Sequence, residues 1–300
     1  MTKKTKELIK KALLEDLGQG DITTRSLVPQ TFSGSAKILA KDFGILCGGT
    51  VVCAVFHFAD PKLKVHAYVQ DGKKIVPGQL LFSVSGRLSS ILYGERTALN
   101  FLGHLSGIAT LTNQFVQKVK GTGTKILDTR KTTPLWRELE KYAVRIGGGE
   151  NHRFGLWDEV LVKDNHLWAL RKLKASKTSP GFLNTLKTVL EKFQKSKILF
   201  EIEVRSVNEL KELLEAGIWP NRFLLDHFSI RDLRNAVKLV HRFFSSQNSK
   251  KIKQPLLEAS GNIHLGNVRQ IAQTGVDRIS VGALTHSAPV LDTSLKLFTL

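Results

Sequence analysis

The sequence predicts an α/β protein in which a turn-rich sheet region is followed by a parallel, TIM-like α/β barrel. Three observations predict it. Up to about residue 84, short β-like runs are separated by glycine-bearing turns. From Lys125 onward, near-continuous apolar runs alternate with amphipathic helical stretches, the pattern of parallel strands covered on both faces. Each of those runs also ends in polar residues or glycine, and α/β barrels build their active sites at the C-terminal ends of their strands.

The elements follow in order. Leu8, Ile9, Ala12 and Leu13 give an amphipathic N-terminal helix, without the continuous apolar core or small-residue cleavage site of a signal peptide. Strands are expected at 35–40, 63–69 and 80–84, broken by Gly44, Gly48-Gly49, Asp71-Gly72 and Pro77-Gly78. The stretch DGKKIVPGQLLFSVSG also looks like part of a lipoyl or biotinyl carrier repeat. No lysine is placed on the exposed hairpin turn such a carrier needs, so the stretch reads as sheet scaffold. Leu92, Leu99, Leu102, Leu105, Ile108, Leu111 and Phe115 recur at helical spacing over 90–118. Gly103 and Gly107 interrupt them, which leaves either two helices or one helix packed closely at its glycines. Barrel strands are expected at 126–127, 160–162, 198–204, 223–225, 256–257 and 279–281, with helices at 135–146, 207–216, 230–243 and 265–273. About six strands are visible, so the barrel is incomplete or short. The polar stretches 175–181 and 245–253 read as surface loops.

A chain of 300 residues forms one large domain or two smaller ones, and 42% hydrophobic content is ordinary for a soluble globular protein. No apolar run approaches the ~18–20 residues of a membrane span. Cys47 and Cys53 make neither a disulfide framework nor a zinc site, and read as reduced core thiols of a cytoplasmic protein. A net charge of +19 invites a nucleic-acid reading. Much of the excess, however, lies in stretches that read as solvated faces and loops: Lys3 to Lys11, 171–197 and 250–253. No helix-turn-helix, zinc-finger or RNP pattern accompanies it, so no specific nucleic-acid partner is expected.

The strand ends carry the chemistry. They are Thr129-Arg130-Lys131, Lys163-Asp164-Asn165, Glu203, Asp226-His227, Ser260-Gly261-Asn262 and Gly282-Ala283, and GGGENHR adds His152 and Arg153. Converging in one cavity, Arg130, Lys131, His152, Arg153 and Lys163 would repel one another. At about 4 Å and an effective dielectric of ~20, each unit pair is worth about 4 kcal/mol. The partner should therefore be multiply anionic, with arginine gripping planar carboxylates and lysine suiting phosphate. Glu203 and Asp226, near phosphate-binding groups, suggest Mg²⁺; ion pairing to the basic cluster is the alternative. The turns Ser260-Gly261-Asn262 and Val281-Gly282-Ala283 offer backbone N–H groups and close approach, which suits a sugar phosphate. Chemistry alone thus reaches a barrel enzyme for a polycarboxylate and a phosphorylated sugar.

Seven motifs are then recognisable: ALLEDLGQGDITT (12–24), ERTALNFLGHLSGIAT (95–110), DTRKTTP (128–134), KYAVRIGGGENHRFGLWDEVLVKDNH (141–166), EIEV (201–204), LLEASGN (256–262) and DRISVGALTHSAPVLD (277–292). Together they resemble the quinolinate phosphoribosyltransferase family, also called carboxylating nicotinate-nucleotide pyrophosphorylase. The resemblance implies transfer of the phosphoribosyl group of 5-phosphoribosyl-1-pyrophosphate (PRPP) to quinolinate, with loss of CO₂ and pyrophosphate, to give nicotinate mononucleotide for NAD synthesis. It implies an open α/β sandwich over 1–110, to which 286–300 returns, and an incomplete barrel of six or seven strands over 111–285. It places Arg130, His152, Arg153 and Lys163 around quinolinate, beside Thr129, with Arg96 reaching in from a neighbouring subunit. Lys131, Glu203 and Asp226 would handle PRPP and Mg²⁺, and Lys163 would lie near both substrates. Ser260, Gly261, Asn262, Val281, Gly282 and Ala283 would form the phosphate turns. Lys131, Lys163, Glu203 and Asp226 are the expected catalytic set, in a homodimer or a multiple of dimers.

One departure stands out. The family pattern leads one to expect LDN at the Asp226 strand end, and this chain has LDH, which leaves the role of His227 open. Rival readings are a related enzyme with another acceptor, nicotinate or that of the ModD-type proteins, and a basic nucleic-acid-binding barrel.

Overall fold

A computed structural model of the chain describes residues 1–173, 181–194, 198–246 and 253–298. The chain divides into two compact units. Met1–Gln114, Lys131–Gly149 and Leu284–Leu300 form the first, and Phe115–Arg130 with Glu150–Ala283 the second.

The first unit opens with helix Lys3–Leu17. The Thr2 hydroxyl caps it by accepting the Thr5 N–H at 3.2 Å, and Thr5, Ile9 and Leu13 form its buried face. Strands β1 (Ser33–Ala40), β2 (Gly44–Ile45), β3 (Lys64–Ala67), β4 (Lys74–Ile75) and β5 (Leu80–Arg87) follow. β5 pairs antiparallel with β1 and β3, and β2 pairs with β4. The carrier-like stretch therefore supplies β4 and β5, as sheet scaffold.

The helical pattern at 90–118 is one helix, Leu88–Lys118. Its glycines serve close packing. A Cβ on Gly103 would stand 2.7 Å from the Leu291 carbonyl oxygen, and one on Gly107 would overlap the Pro289 carbonyl. Each glycine costs helix stability, about 1 kcal/mol, yet only glycine lets the C-terminal segment pass so near.

The segment 131–149, inside the range 111–285 expected for the barrel, groups with the first unit. Its helix Arg137–Ile146 buries Leu139, Glu140, Lys141, Ala143 and Val144. Polar contacts anchor it there: the Tyr142 hydroxyl donates to Asp71 at 2.7 Å, and His104 Nε2 lies 2.9 Å from Glu140 Oε1.

The second unit contains β6 (Lys125–Leu127), β7 (Val160–Val162), β8 (Phe200–Val204), β9 (Arg222–Asp226), β10 (Leu256–Ser260) and β11 (Arg278–Ser280). They form one parallel sheet in the order β6-β11-β10-β9-β8-β7, an incomplete barrel with β6 and β7 at its edges. Leu127 also makes an isolated parallel bridge to Glu150. Helices Val207–Glu215, Ile230–Ser246 and Val268–Ala272 stand where the periodicity puts them. Strand β8 begins at Phe200, because Ile198 and Leu199 are exposed. Two further helices are Asp164–Leu173 and Phe182–Gln194, the second in sequence that the charge pattern alone presents as solvated surface. Most of the expected loops 175–181 and 245–253 lies outside the described residues. Among the described residues, no helix is long and apolar enough to cross a membrane.

The chain ends with β12 (Thr293–Phe298), which pairs antiparallel with β1 and completes the first unit's sheet in the order β12-β1-β5-β3.

Candidate active site

Strand alternation builds the site. On β8, Phe200, Ile202 and Val204 share one face, while Glu201 and Glu203 share the other. Arg222 and Asp226 share a face of β9, and Glu258 and Ser260 a face of β10. The parallel register sets Glu201 opposite Arg222, and Leu224 opposite both Glu203 and Glu258.

The deeper of these residues form a closed cluster. Arg222 pairs with Glu159, lies 3.4 Å from Glu201 Oε2, and 3.6 Å from Glu258 Oε2. Glu201 and Glu258 are fully buried. Burial, and then the charge of Glu201, push the Glu258 carboxyl up to about 7. His152 Nε2 lies 3.0 Å from Glu201 Oε2 and 3.4 Å from Glu258 Oε1, while its Nδ1 accepts the Arg153 N–H at 2.7 Å. The backbone N–H of His152 donates to the buried Asp128 at 2.9 Å. Both ring nitrogens thus face protein atoms. His152, Glu201 and Glu258 bring ligand atoms within 4.8 Å of one another, a grouping able to hold a metal. Arg222 already neutralises the same carboxylates, however. With Nδ1 accepting, the ring proton sits on Nε2 and is directed at Glu201.

At the rim, charges of both signs lie close together. Arg153 is buried, and its Nη1 donates to the Glu159 carbonyl at 3.1 Å. Burial and the charge of Arg130 both lower its pKa. Glu203 lies 3.9 Å from Lys163 Nζ. Burial raises its pKa; Lys163 opposes the rise, and Asp226 and Asp164 add to it. Asp226 Oδ2 lies 2.9 Å from His227 Nδ1. In the KDNH turn, the Lys163 N–H donates to His166 Nδ1 at 2.9 Å, and Arg205 pairs with Asp164 at 2.6 Å.

The remaining expected residues are distributed as follows. Gly261 and Asn262 take positive φ, 96° and 51°, and the Asn262 carbonyl accepts from Asn267 Nδ2 at 2.9 Å. Val281 is buried and its N–H donates to the Leu127 carbonyl at 2.9 Å, so it closes the sheet while Gly282 and Ala283 continue the turn. Thr129 is half-buried and Arg130 exposed. Arg96 and Lys131 are exposed residues of the first unit, where the Lys131 carbonyl accepts from the Thr285 hydroxyl at 2.6 Å. Thr129, Arg130, His152, Arg153, Lys163, Glu203, Asp226 and both turns belong to the barrel unit. Sequence reasoning did not single out Asp128, Glu159, Glu201, Arg222 or Glu258. For Glu201 and Glu258 the available signal was a charge two residues before a polar strand-end residue inside an otherwise apolar strand.

A parallel barrel whose strand ends gather cations and paired carboxylates defines a class: enzymes that act on multiply anionic substrates. Comparison with known proteins narrows the class. The family described as quinolinate phosphoribosyl transferase, N-terminal domain, matches residues 21–106, and its C-terminal domain matches 108–296. The chain belongs to this family. It is 38% identical to a mitochondrial quinolinate phosphoribosyltransferase [decarboxylating] of Nicotiana tabacum, over 98% of this chain and 82% of that one. It is also 38% identical to a probable nicotinate-nucleotide pyrophosphorylase [carboxylating] of Methanocaldococcus jannaschii, over 97% and 96%. Its fold is similar to that of the nicotinate-nucleotide pyrophosphorylase from Francisella tularensis, with a TM-score of 0.83 and 34% identity over 99% and 98% of the two chains. Human nicotinic acid phosphoribosyltransferase, at 14% identity and a TM-score of 0.66, shares the fold alone; the match covers 100% of this chain and 74% of that one.

Proposed function

We infer a division of labour at the barrel rim for the reaction this chain performs. It transfers the phosphoribosyl group of PRPP to quinolinate with loss of CO₂, giving nicotinate mononucleotide and pyrophosphate for NAD synthesis. The observation that carries the division is the charged rim itself, where Arg153 and Glu203 are buried and Lys163 Nζ lies 3.9 Å from Glu203.

Arg130 and Arg153 grip quinolinate, chiefly at the carboxylate that is retained. A tight hold on the departing carboxylate would stabilise the ground state, where its charge is greatest. His152 holds Arg153 in place from behind. Lys163 lies near both substrates, and Lys131 assists with PRPP. The turns at Ser260-Gly261-Asn262 and Gly282-Ala283 take the sugar phosphate. Glu203 and Asp226 would hold Mg²⁺, whose charge would favour departure of pyrophosphate. The donor set fits such an ion, because burial, and to a lesser extent Asp226, penalises the charge on Glu203, which Lys163 only offsets. As the ribosyl C1 becomes oxocarbenium-like, the pyridine nitrogen, held by the arginines, attacks it. The resulting pyridinium stabilises the carbanion left by CO₂. Orientation and fixed charge supply most of the rate, and no covalent nucleophile is needed. Arg96 acts from a second copy of the chain in a homodimer or a multiple of dimers. The reduced thiols Cys47 and Cys53 suit a cytoplasmic setting.

The test supplies the purified chain with quinolinate, PRPP and Mg²⁺. Stoichiometric nicotinate mononucleotide and CO₂ are expected. Turnover of nicotinate in place of quinolinate, or tight salt-dependent DNA binding without CO₂ release, would favour the rival readings.

A further inference from the structure

Asp226 has a neighbour that this division of labour leaves unused. His227 takes φ 56°, in the left-handed region that histidine, asparagine and aspartate enter more readily than other non-glycine residues. Its N–H donates to the Ser260 carbonyl at 2.9 Å, tying the end of β9 to the end of β10. Its Nδ1 lies 2.9 Å from Asp226 Oδ2, and its side chain is 58% exposed. The ring also lies against Gly261, where a Cβ would meet it at 2.7 Å. One exposed side chain therefore touches both the carboxylate assigned to Mg²⁺ and PRPP and the turn assigned to the sugar phosphate. Unusual backbone conformations of this kind collect at functional sites, and a residue kept only for folding has little to gain from an exposed ring there.

We propose that His227 is a positioning residue for PRPP, holding the Asp226 carboxylate through Nδ1–H and walling the Gly261 turn with its ring. The inference rests on the reading of Asp226 given above. The hydrogen bond engages one carboxylate oxygen and restrains rotation of the group, so less order has to be imposed when PRPP arrives. Gly261 is required by the same arrangement: it has φ 96°, and any side chain would collide with the imidazole.

The experiment measures PRPP binding by calorimetry, with Mg²⁺ present and quinolinate absent, and then both Michaelis constants. Four variants are compared: His227→Asn, His227→Gln, His227→Ala and Asp226→Asn. Asparagine tolerates the positive φ, and its Nδ2 stands close to where Nδ1 stood, so His227→Asn should bind PRPP within about twofold of the parent. Gln and Ala cannot donate from that position. They should weaken PRPP binding and raise its KM about tenfold, with the KM for quinolinate unchanged. If Asp226→Asn binds PRPP normally, the reading of Asp226 falls, and the inference with it. If Asp226→Asn is weak while the Ala and Gln variants bind like the parent, only the role of His227 falls. An Asn variant as weak as the Ala variant would likewise overturn the donor role.

Discussion

Glu201 and Glu203 are two residues apart on one face of one strand, and they belong to opposite kinds of charged region. Around Glu201, opposite charges pair even though Glu201 and Glu258 repel: Arg222 serves Glu159, Glu201 and Glu258, and His152 turns its Nε2 toward two of the three carboxylates. Around Glu203, the pairing is looser: burial disfavours its charge, Lys163 at 3.9 Å offsets this and Asp226 adds to the penalty, while burial and then Arg130 disfavour the charge on Arg153. The inner cluster is buried and its opposite charges pair with one another. At the rim, Arg153 and Glu203 are buried with their charges disfavoured. Position along a strand, rather than residue type, decides which role a glutamate takes.

The comparison breaks most visibly at Arg222. Arg222→Met would leave three buried carboxylates without their guanidinium, a loss of about 3–5 kcal/mol. At ~2–4 °C per kcal/mol, the melting temperature should fall by roughly 6–20 °C. A shift under about 2 °C would show that the inner cluster does not hold the fold.

Arg153→Ala should do the reverse, raising the KM for quinolinate roughly 10–100-fold with a small change in melting temperature. Nicotinate, which lacks the departing carboxylate, should be used no better than before. A sharp rise in its use with quinolinate binding intact would mean that Arg153 does not hold the retained carboxylate.

The smallest effect sharpens the inner cluster. The Glu258 proton is bound more tightly in the folded chain than in the unfolded one. Its contribution to stability is full below the ordinary 4.5 and is lost as pH rises through about 7. Glu258→Gln imitates the protonated form, so its melting temperature relative to the parent should be higher at about pH 8 than at about pH 5. An equal difference at both pH values would show that Glu258 is not held protonated.

The rim was legible in the sequence because its residues follow apolar runs, where a charged or glycine residue stands out and the strand end is known to matter. Glu201, Arg222 and Glu258 were not, because a lone charge inside a strand carries no mark of its partners, which come from other strands through parallel register. His152 was legible as a site residue, but its support of Arg153 depends on which atoms face its two nitrogens. The helix Phe182–Gln194 was obscured by the lysine-rich stretch between 171 and 197, whereas most of Asp164–Leu173 lies before it. Gly103 and Gly107 left one helix or two open until the path of 289–291 was known.

On the proposed division of labour, the rim keeps buried charge for substrate at a cost to the fold. Glu203→Gln tests it most directly, through urea unfolding without ligands and PRPP binding with Mg²⁺ on the same sample. Stability equal to or above that of the parent is expected, since the burial penalty on the Glu203 charge is removed along with the repulsion from Asp226, and PRPP affinity should be lower by roughly 10²–10³-fold. A variant that binds PRPP normally, or one that loses stability as Arg222→Met does, would contradict it.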